Sequence, residues 1–269
     1  MSRYTLAKNT FVDEINLEEY IDLESNRVTY DQLLHSLDKS LKMVLIFGRP
    51  GTGKSLLLSR VYENKKQQKE LYLFDTPMTS KREFFAKLFK VLTKNEIPAG
   101  STVDFETFVA YLRSHKGQRE IIILLDEAQM YPTEILEDIR ILSDSGVIKF
   151  VISLHKTDDE DLIAKEHFQS RIWETIELKN ATKEELKTYV HKKLLGANQF
   201  EVANLIRSKH ITLMYKYTSG NYRETNKLLY TVFEIYEYYD MNDPSKIDHQ
   251  KFSTKLIEMA AIKLGYIHV

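Results

Sequence analysis

Two short stretches carry side chains whose types and spacing could do chemistry. The first is "GRPGTGKS", Gly48 to Ser55, which matches G-x-x-x-x-G-K-[ST] in full. Its glycines, Gly48, Gly51 and Gly53, let the backbone wrap tightly and turn its N–H groups toward an anion. A helix is expected to start at the end of the motif and add the positive end of its dipole. Lys54 is placed to bridge the β- and γ-phosphates of a nucleotide and Ser55 to give its hydroxyl to Mg²⁺, while Pro50, Thr52 and Leu56 complete the cradle. The second stretch is "IIILLDEAQM", residues 121–130, an apolar run that ends in Asp126 and Glu127. Asp126 is suited to holding Mg²⁺ through its water shell. Glu127 is suited to polarising an attacking water as general base. A kinase acting on small molecules has no need of that second acid, so its presence favours hydrolysis.

These groups need a scaffold that brings loop and acids to one edge. Short apolar bursts recur at 43–47, 71–75, 121–126, 149–154 and 175–178, each of strand length and nearly continuous in hydrophobicity. Parallel strands covered on both faces read this way. Helical patterns lie between them, in "GKSLLLSRVYENKKQQ", "SKREFFAKLFKVLTK", "TVDFETFVAYLRSHK" and "PTEILEDIRILSDS". The alternation predicts βαβ units and an α/β fold with a doubly wound parallel sheet. After about residue 178 the pattern becomes wholly helical. It opens on a capping box, Thr182-x-x-Glu185, and runs through "EVANLIRSKHITLMYKYTSG", "NYRETNKLLYTVFEIYEYYD" and "DHQKFSTKLIEMAAIKLGYI". The tyrosines of "YTVFEIYEYYD" are expected to be buried core. The expected division is an N-terminal extension (1–27), a nucleotide-binding α/β domain (28–179) and a small helical domain (180–269).

Composition narrows the classes. A chain of 269 residues can bury a substantial core, and 29% charged residues are ordinary for a globular protein. Lys and Arg number 38 against 39 Asp and Glu, so bulk charge argues neither for nor against nucleic acid. Cysteine is absent, which excludes disulfides and thiolate metal sites and fits a cytoplasmic setting. No stretch approaches the roughly 18 apolar residues of a membrane span, so no direct membrane insertion is expected.

With both motifs and a helical domain behind the α/β domain, the chain resembles an AAA+ ATPase over roughly residues 28 to 265. "LLDEAQ" makes it similar to the branch holding ExeA-type secretion ATPases and TniB transposition proteins, with origin-recognition ATPases further off. The resemblance implies an αβα core with a helical lid, ATP or ADP and Mg²⁺ as ligands, and an ATP-dependent homo-oligomer, ring or filament. It also implies further residues. The polar sensor after the Walker B strand falls on His155, with Ser153 as the rival and a purely structural histidine as the alternative. Arg171, just before the last strand, falls where the family's arginine finger reaches a neighbouring subunit; the alternative is a surface ion pair. Arg223, in "SGNYRETNKLL", matches the "G-N-x-R" sensor 2 motif that starts the third lid helix. A basic residue there is not placed by helix-dipole preference. Tyr20, Ile21 and Tyr30 sit where the family contacts adenine, although the same residues would serve ordinary packing.

The implied activity is ATP hydrolysis that remodels or loads an unidentified protein partner. A winged-helix domain, as origin-recognition proteins carry, finds no room after about residue 265. That and the neutral charge tilt the expectation toward assembly of a secretion, pilus or DNA-uptake machine. DNA transposition or replication is the alternative, with DNA as a possible partner. A nucleotide-gated switch with negligible turnover is a third reading, in which Arg171 is structural.

Overall fold

A computed structural model describes the chain except for residues 1, 13, 15, 18–19, 96–104, 156–167 and 268–269. It divides into two compact units. One comprises Val28–Arg49 and Lys54–Leu178; the other comprises Met1–Arg27, Pro50–Gly53 and Lys179–Val269.

The first unit holds five strands, β1 (Met43–Gly48), β2 (Leu71–Phe74), β3 (Ile121–Leu125), β4 (Ile148–His155) and β5 (Ile172–Leu178). They form one parallel sheet in the order β2-β3-β4-β1-β5. Every expected strand is present. Their nearly continuous hydrophobicity follows from cover on both sides, and alternate residues serve opposite faces. Met43 and Leu45 of β1, with Ile121, Ile123 and Leu125 of β3, pack against α4 (Lys81–Thr93), α5 (Phe105–Ser114) and α6 (Thr133–Ser143). Val44, Ile46, Ile122 and Leu124 face the other way, onto Leu33 and Leu37 of α2 (Glu24–Asp38) and Leu57, Leu58 and Val61 of α3 (Lys54–Lys65). The helix α3 begins at Lys54, as the motif requires.

The second unit is helical. It contains α1 (Thr5–Asn9), α7 (Lys183–Gly196), α8 (Phe200–Leu205), α9 (Ser208–Thr218), α10 (Tyr222–Asn242) and α11 (Thr254–Lys263). The capping box at the start of α7 is formed: Glu185 N donates to Thr182 Oγ1 and Thr182 N to Glu185 Oε2. The stretch read as one helical segment from Glu201 is instead two helices. His210 Nδ1 accepts the Arg207 amide at 2.9 Å, which supplies a new N-terminal cap and restarts the helix at Ser208. The extra short helix makes α10 the fourth in this region rather than the third. Only one of the four tyrosines from "YTVFEIYEYYD" is fully buried. Tyr236 stacks in a cluster with Tyr4, Phe233 and Phe252, whereas Tyr238 is exposed and Tyr230 and Tyr239 are half-buried. Their spacing spreads them around the helix, so a single buried face cannot take them all. Near the N-terminus, Thr5 and Lys8 bond Glu237, and Tyr4 lies 4.6 Å, centroid to centroid, from Tyr236. Among the described residues no helix is long and apolar enough to cross a membrane.

Candidate functional site

The strand order places β1 and β3 on either side of β4, so the C-terminal ends of all three lie side by side. In register, Gly48 of β1 pairs with His155 of β4, and Leu125 of β3 with Ile152. The phosphate-loop motif therefore leaves the sheet beside the residues that follow the acidic strand. Lys54 is buried and donates from Nζ to the carbonyls of Gly48 (2.9 Å) and Arg49 (3.2 Å), which bends the loop back over its own start. Gly51 and Gly53 hold positive φ, 78° and 93°, conformations that Gly adopts without penalty. Thr52 is buried and Ser55 half-buried in the first turn of α3, with Leu56 beside it.

Asp126 and Glu127 each find a partner on β4, but a different one. Asp126, 5% exposed, accepts from Ser153 Oγ at 2.6 Å and from the Glu127 amide at 3.0 Å, both on Oδ1. Among the described residues its Oδ2 accepts no bond. Glu127 adopts a left-handed backbone, φ 51°, and its carboxylate lies 2.9 Å from His155 Nε2. Gln129 Nε2 donates to the same carboxylate. The hydrogen bond from His155 holds the Glu127 carboxyl below the usual carboxylate value, with Gln129 and Lys54 adding to the effect against burial. Glu127 is thus ionised at neutral pH. A left-handed backbone is uncommon for a residue other than glycine. Ser153 and His155, rivals for one position in the sequence, divide two tasks.

Two neighbours were not singled out by sequence. Gln129 lies within the "DEAQ" run that motivated the resemblance, so its signal was present. Tyr131 is buried, with no hydrogen-bond partner for its hydroxyl among the described residues, and burial beside Asp126 and Asp75 pushes its ionisation far upward. Nothing in its sequence position signals that.

In the unit that contains Pro50–Gly53, Asn221 caps α10 by accepting the Glu224 amide at 3.2 Å and donates to the Pro50 carbonyl at 2.7 Å. A Cβ added to Gly51 would lie 2.5 Å from Asn221 Oδ1 and 2.6 Å from Arg223 Cβ. Arg223, in the first turn of α10, therefore lies directly beside the glycine tip of the loop. The three adenine candidates fall in different units. Tyr20 and Ile21, both half-buried, belong to the helical unit, where Tyr20 lies near enough to influence Tyr222. Tyr30 is on α2 of the other unit, under the Arg60 guanidinium (4.5 Å) and bonded to Asn64.

Arg171 stands apart from this rim. It precedes β5, whose first residue pairs with Met43 and whose last pairs with Gly48. At about 3.3 Å per residue it lies roughly 20 Å along the strand from the level of Gly48, far beyond one side chain's reach. Its Nη2 donates to Asp144 at 3.0 Å, and Lys42 bonds the other oxygen of that carboxylate at 2.7 Å. These two cations hold Asp144 below its usual range despite its burial.

Magnesium fits the donor set. Among the described residues no group of three or more His, Cys, Asp or Glu is arranged to hold a metal. A cation here would draw on the Ser55 hydroxyl, Asp126 and phosphate oxygens, the sparse oxygen set that magnesium takes in nucleotide sites.

Comparison with known proteins agrees with this geometry. Residues 37–158 match the family described as an AAA domain. Solved structures with the same fold include the Aeropyrum pernix ORC1 protein in complex with DNA (TM-score 0.58, 14% identity, 96% of this chain against 69% of that one). The RuvB Holliday junction branch migration motor of Thermotoga maritima is another (0.51, 19%, 94% against 73%). Domain III of the replication initiation protein DnaA from the same organism is a third (0.50, 15%, 94% against 97%). No curated protein sequence matches significantly. The ExeA and TniB branch expected from "LLDEAQ" is not among these matches. The chain has the P-loop fold of these structures, a five-stranded parallel sheet with flanking helices and a helical C-terminal region, and within it residues 37–158 are similar to the AAA domain family.

Proposed function

We propose that this chain binds ATP with magnesium at the C-terminal rim of the sheet and hydrolyses it, with a neighbouring copy completing each site. The observation that carries this reading is the paired arrangement on β4: Ser153 fixes Asp126 and His155 fixes Glu127, beside the Gly48–Ser55 loop. The glycine-lined loop and the start of α3 would hold the phosphates, and Lys54 would exchange its bonds to the loop carbonyls for phosphate oxygens. Magnesium, when bound at Ser55 and Asp126, would neutralise phosphate charge. Glu127, kept ionised, would orient and polarise the attacking water once released from His155 or Gln129. Arg223, beside Gly51, is the cation we assign to the γ-phosphate in the same chain. Arg171, out of reach of its own site, is assigned to the neighbour's. Its exposed pair with Asp144 is worth roughly 0.2–1 kcal/mol and is no obstacle to that exchange.

The engagement of the Glu127 carboxylate by both His155 and Gln129 favours a second reading, a nucleotide-gated switch with little turnover. The setting we favour is DNA replication or recombination, on the strength of what the fold relatives are described as doing. The expected role in assembling a secretion, pilus or DNA-uptake machine finds no support among them. Calorimetric ATP binding and turnover, each with and without duplex and single-stranded DNA, test these readings. Lys54→Ala is expected to lose binding at least tenfold. Glu127→Gln is expected to bind like wild type and lose about a hundredfold or more in rate. Tight binding with negligible wild-type turnover would establish the switch instead.

A further inference from the structure

Trp173 is the single tryptophan of the chain and is 67% exposed. It lies in β5, the edge strand next to β1. The β1–β5 register slips at this point: Met43 pairs with Ile172 and Val44 with Glu174, so Trp173 is a bulged residue opposite no partner. The bulge has a packing reason. It lets Ile172 join the Met43 and Leu45 side of the sheet while Ile176 and Leu178 serve the Val44 and Ile46 side. That reason asks only for one extra residue, and a small polar one would do. An indole there instead exposes a large apolar surface at an open sheet edge, which proteins ordinarily protect with charge.

Trp173 is two residues from Arg171, at the end of the sheet opposite the rim of its own site. Tryptophan and arginine are the residue types most enriched among those that dominate binding at protein interfaces. We propose that Trp173 is the apolar anchor of the contact through which Arg171 enters a second copy of this chain. The inference rests on the shared-site reading above. The occupant follows from reach. If Arg171 meets a phosphate beside the neighbour's Glu127, Trp173 falls about 7 Å further along the strand. Three residues past Glu127 stands Met130, itself 61% exposed at the end of a 3-10 turn. A flexible thioether is a good partner for an aromatic ring. The contact joins two different patches, Arg171 and Trp173 on one copy and the Met130 rim on the next, so it propagates head to tail as rings and filaments require.

Because Trp173 is the only tryptophan, its emission reports its own environment. Full-length Glu127→Gln protein with ATP and Mg²⁺ would be titrated in concentration, with emission and sedimentation velocity followed together. The expected result is a blue shift of emission in step with assembly. Trp173→Ser and Met130→Ser should each raise the half-assembly concentration at least tenfold with ATP binding unchanged, and the double variant should cost less than the product of the two. Assembly with unshifted emission, or undiminished assembly of Trp173→Ser, overturns this inference and leaves the shared site standing. Assembly that depends on Trp173 but not on Met130 overturns the assigned occupant. Failure of the wild-type surface to assemble at any concentration overturns the shared-site reading and this inference with it.

Discussion

Replacing Ser153 by alanine should destabilise the α/β unit by about 1.5–3 kcal/mol, the value of a hydrogen bond to a charged group. Ser153 is fully buried on β4, and its hydroxyl donates over 2.6 Å to Asp126 Oδ1. The other bond to that carboxylate is the Glu127 amide at 3.0 Å. Alanine removes one of two donors from an acid only 5% exposed, and water cannot readily replace it. The cavity left by a single oxygen is too small to add much. Urea denaturation followed by far-ultraviolet circular dichroism suits the measurement, because Trp173 is too exposed in the folded unit for its emission to report unfolding. With a slope of about 3 kcal/mol/M the midpoint should fall by roughly 0.5–1 M at unchanged slope. Ser114→Ala, at an exposed helix end, is the control and should stay within about 0.5 kcal/mol of wild type. A Ser153→Ala midpoint no lower than the control's would refute the claim that Ser153 holds Asp126. Magnesium-dependent ATP binding should weaken in the same variant and stay unchanged in the control.

Gly51→Ala should lower ATP affinity at least tenfold, since alanine would have to adopt φ +78°, at about 1–2 kcal/mol, and press a methyl group onto Asn221 and Arg223; calorimetry with wild-type affinity would contradict it. Tyr131→Phe removes a buried hydroxyl that has no partner among the described residues, so denaturation should show no loss and a gain of up to about 1–3 kcal/mol, whereas a clear loss would mean the hydroxyl is satisfied. Glu70 is held below the ordinary carboxyl value of 4.5 by hydrogen bonding to Arg119, with Lys94 adding to it against burial. Its stabilisation is therefore fully present above that value and is lost as pH falls through the lower folded one. Melting temperatures across the acid range should fall less steeply for Glu70→Gln than for wild type, and equal slopes would rule out this source of acid sensitivity.

The sheet was legible because strands covered on both faces leave nearly continuous apolar runs, as in residues 121–125 and 148–154. The turn from β1 into α3 was legible because glycine, lysine and serine at fixed spacing between an apolar run and a helical pattern have few other uses. The pairing of Ser153 with Asp126 and His155 with Glu127 was not, because it depends on β3 and β4 being neighbours, and strand order is set by packing across the whole sheet. The bulge at Trp173 was hidden for the same reason, since it exists only against the register of β1. The break before Ser208 turned on one side chain: His210 reads as a helix residue by periodicity, yet its ring accepts the Arg207 amide and starts a new helix. The burial expected for Tyr238 failed because apolar character was counted along the helix rather than around it.

The central claim is that each hydrolytic site is built from two copies. Mixing Arg171→Ala with Glu127→Gln protein tests it most directly, because each variant alone lacks one component in every site. In random equimolar mixtures one interface in four is predicted to join an intact Glu127 to an intact Arg171, restoring roughly a quarter of the wild-type ATPase rate. Recovery to no more than the average of the two separate rates, with both variants shown to assemble together, would contradict it.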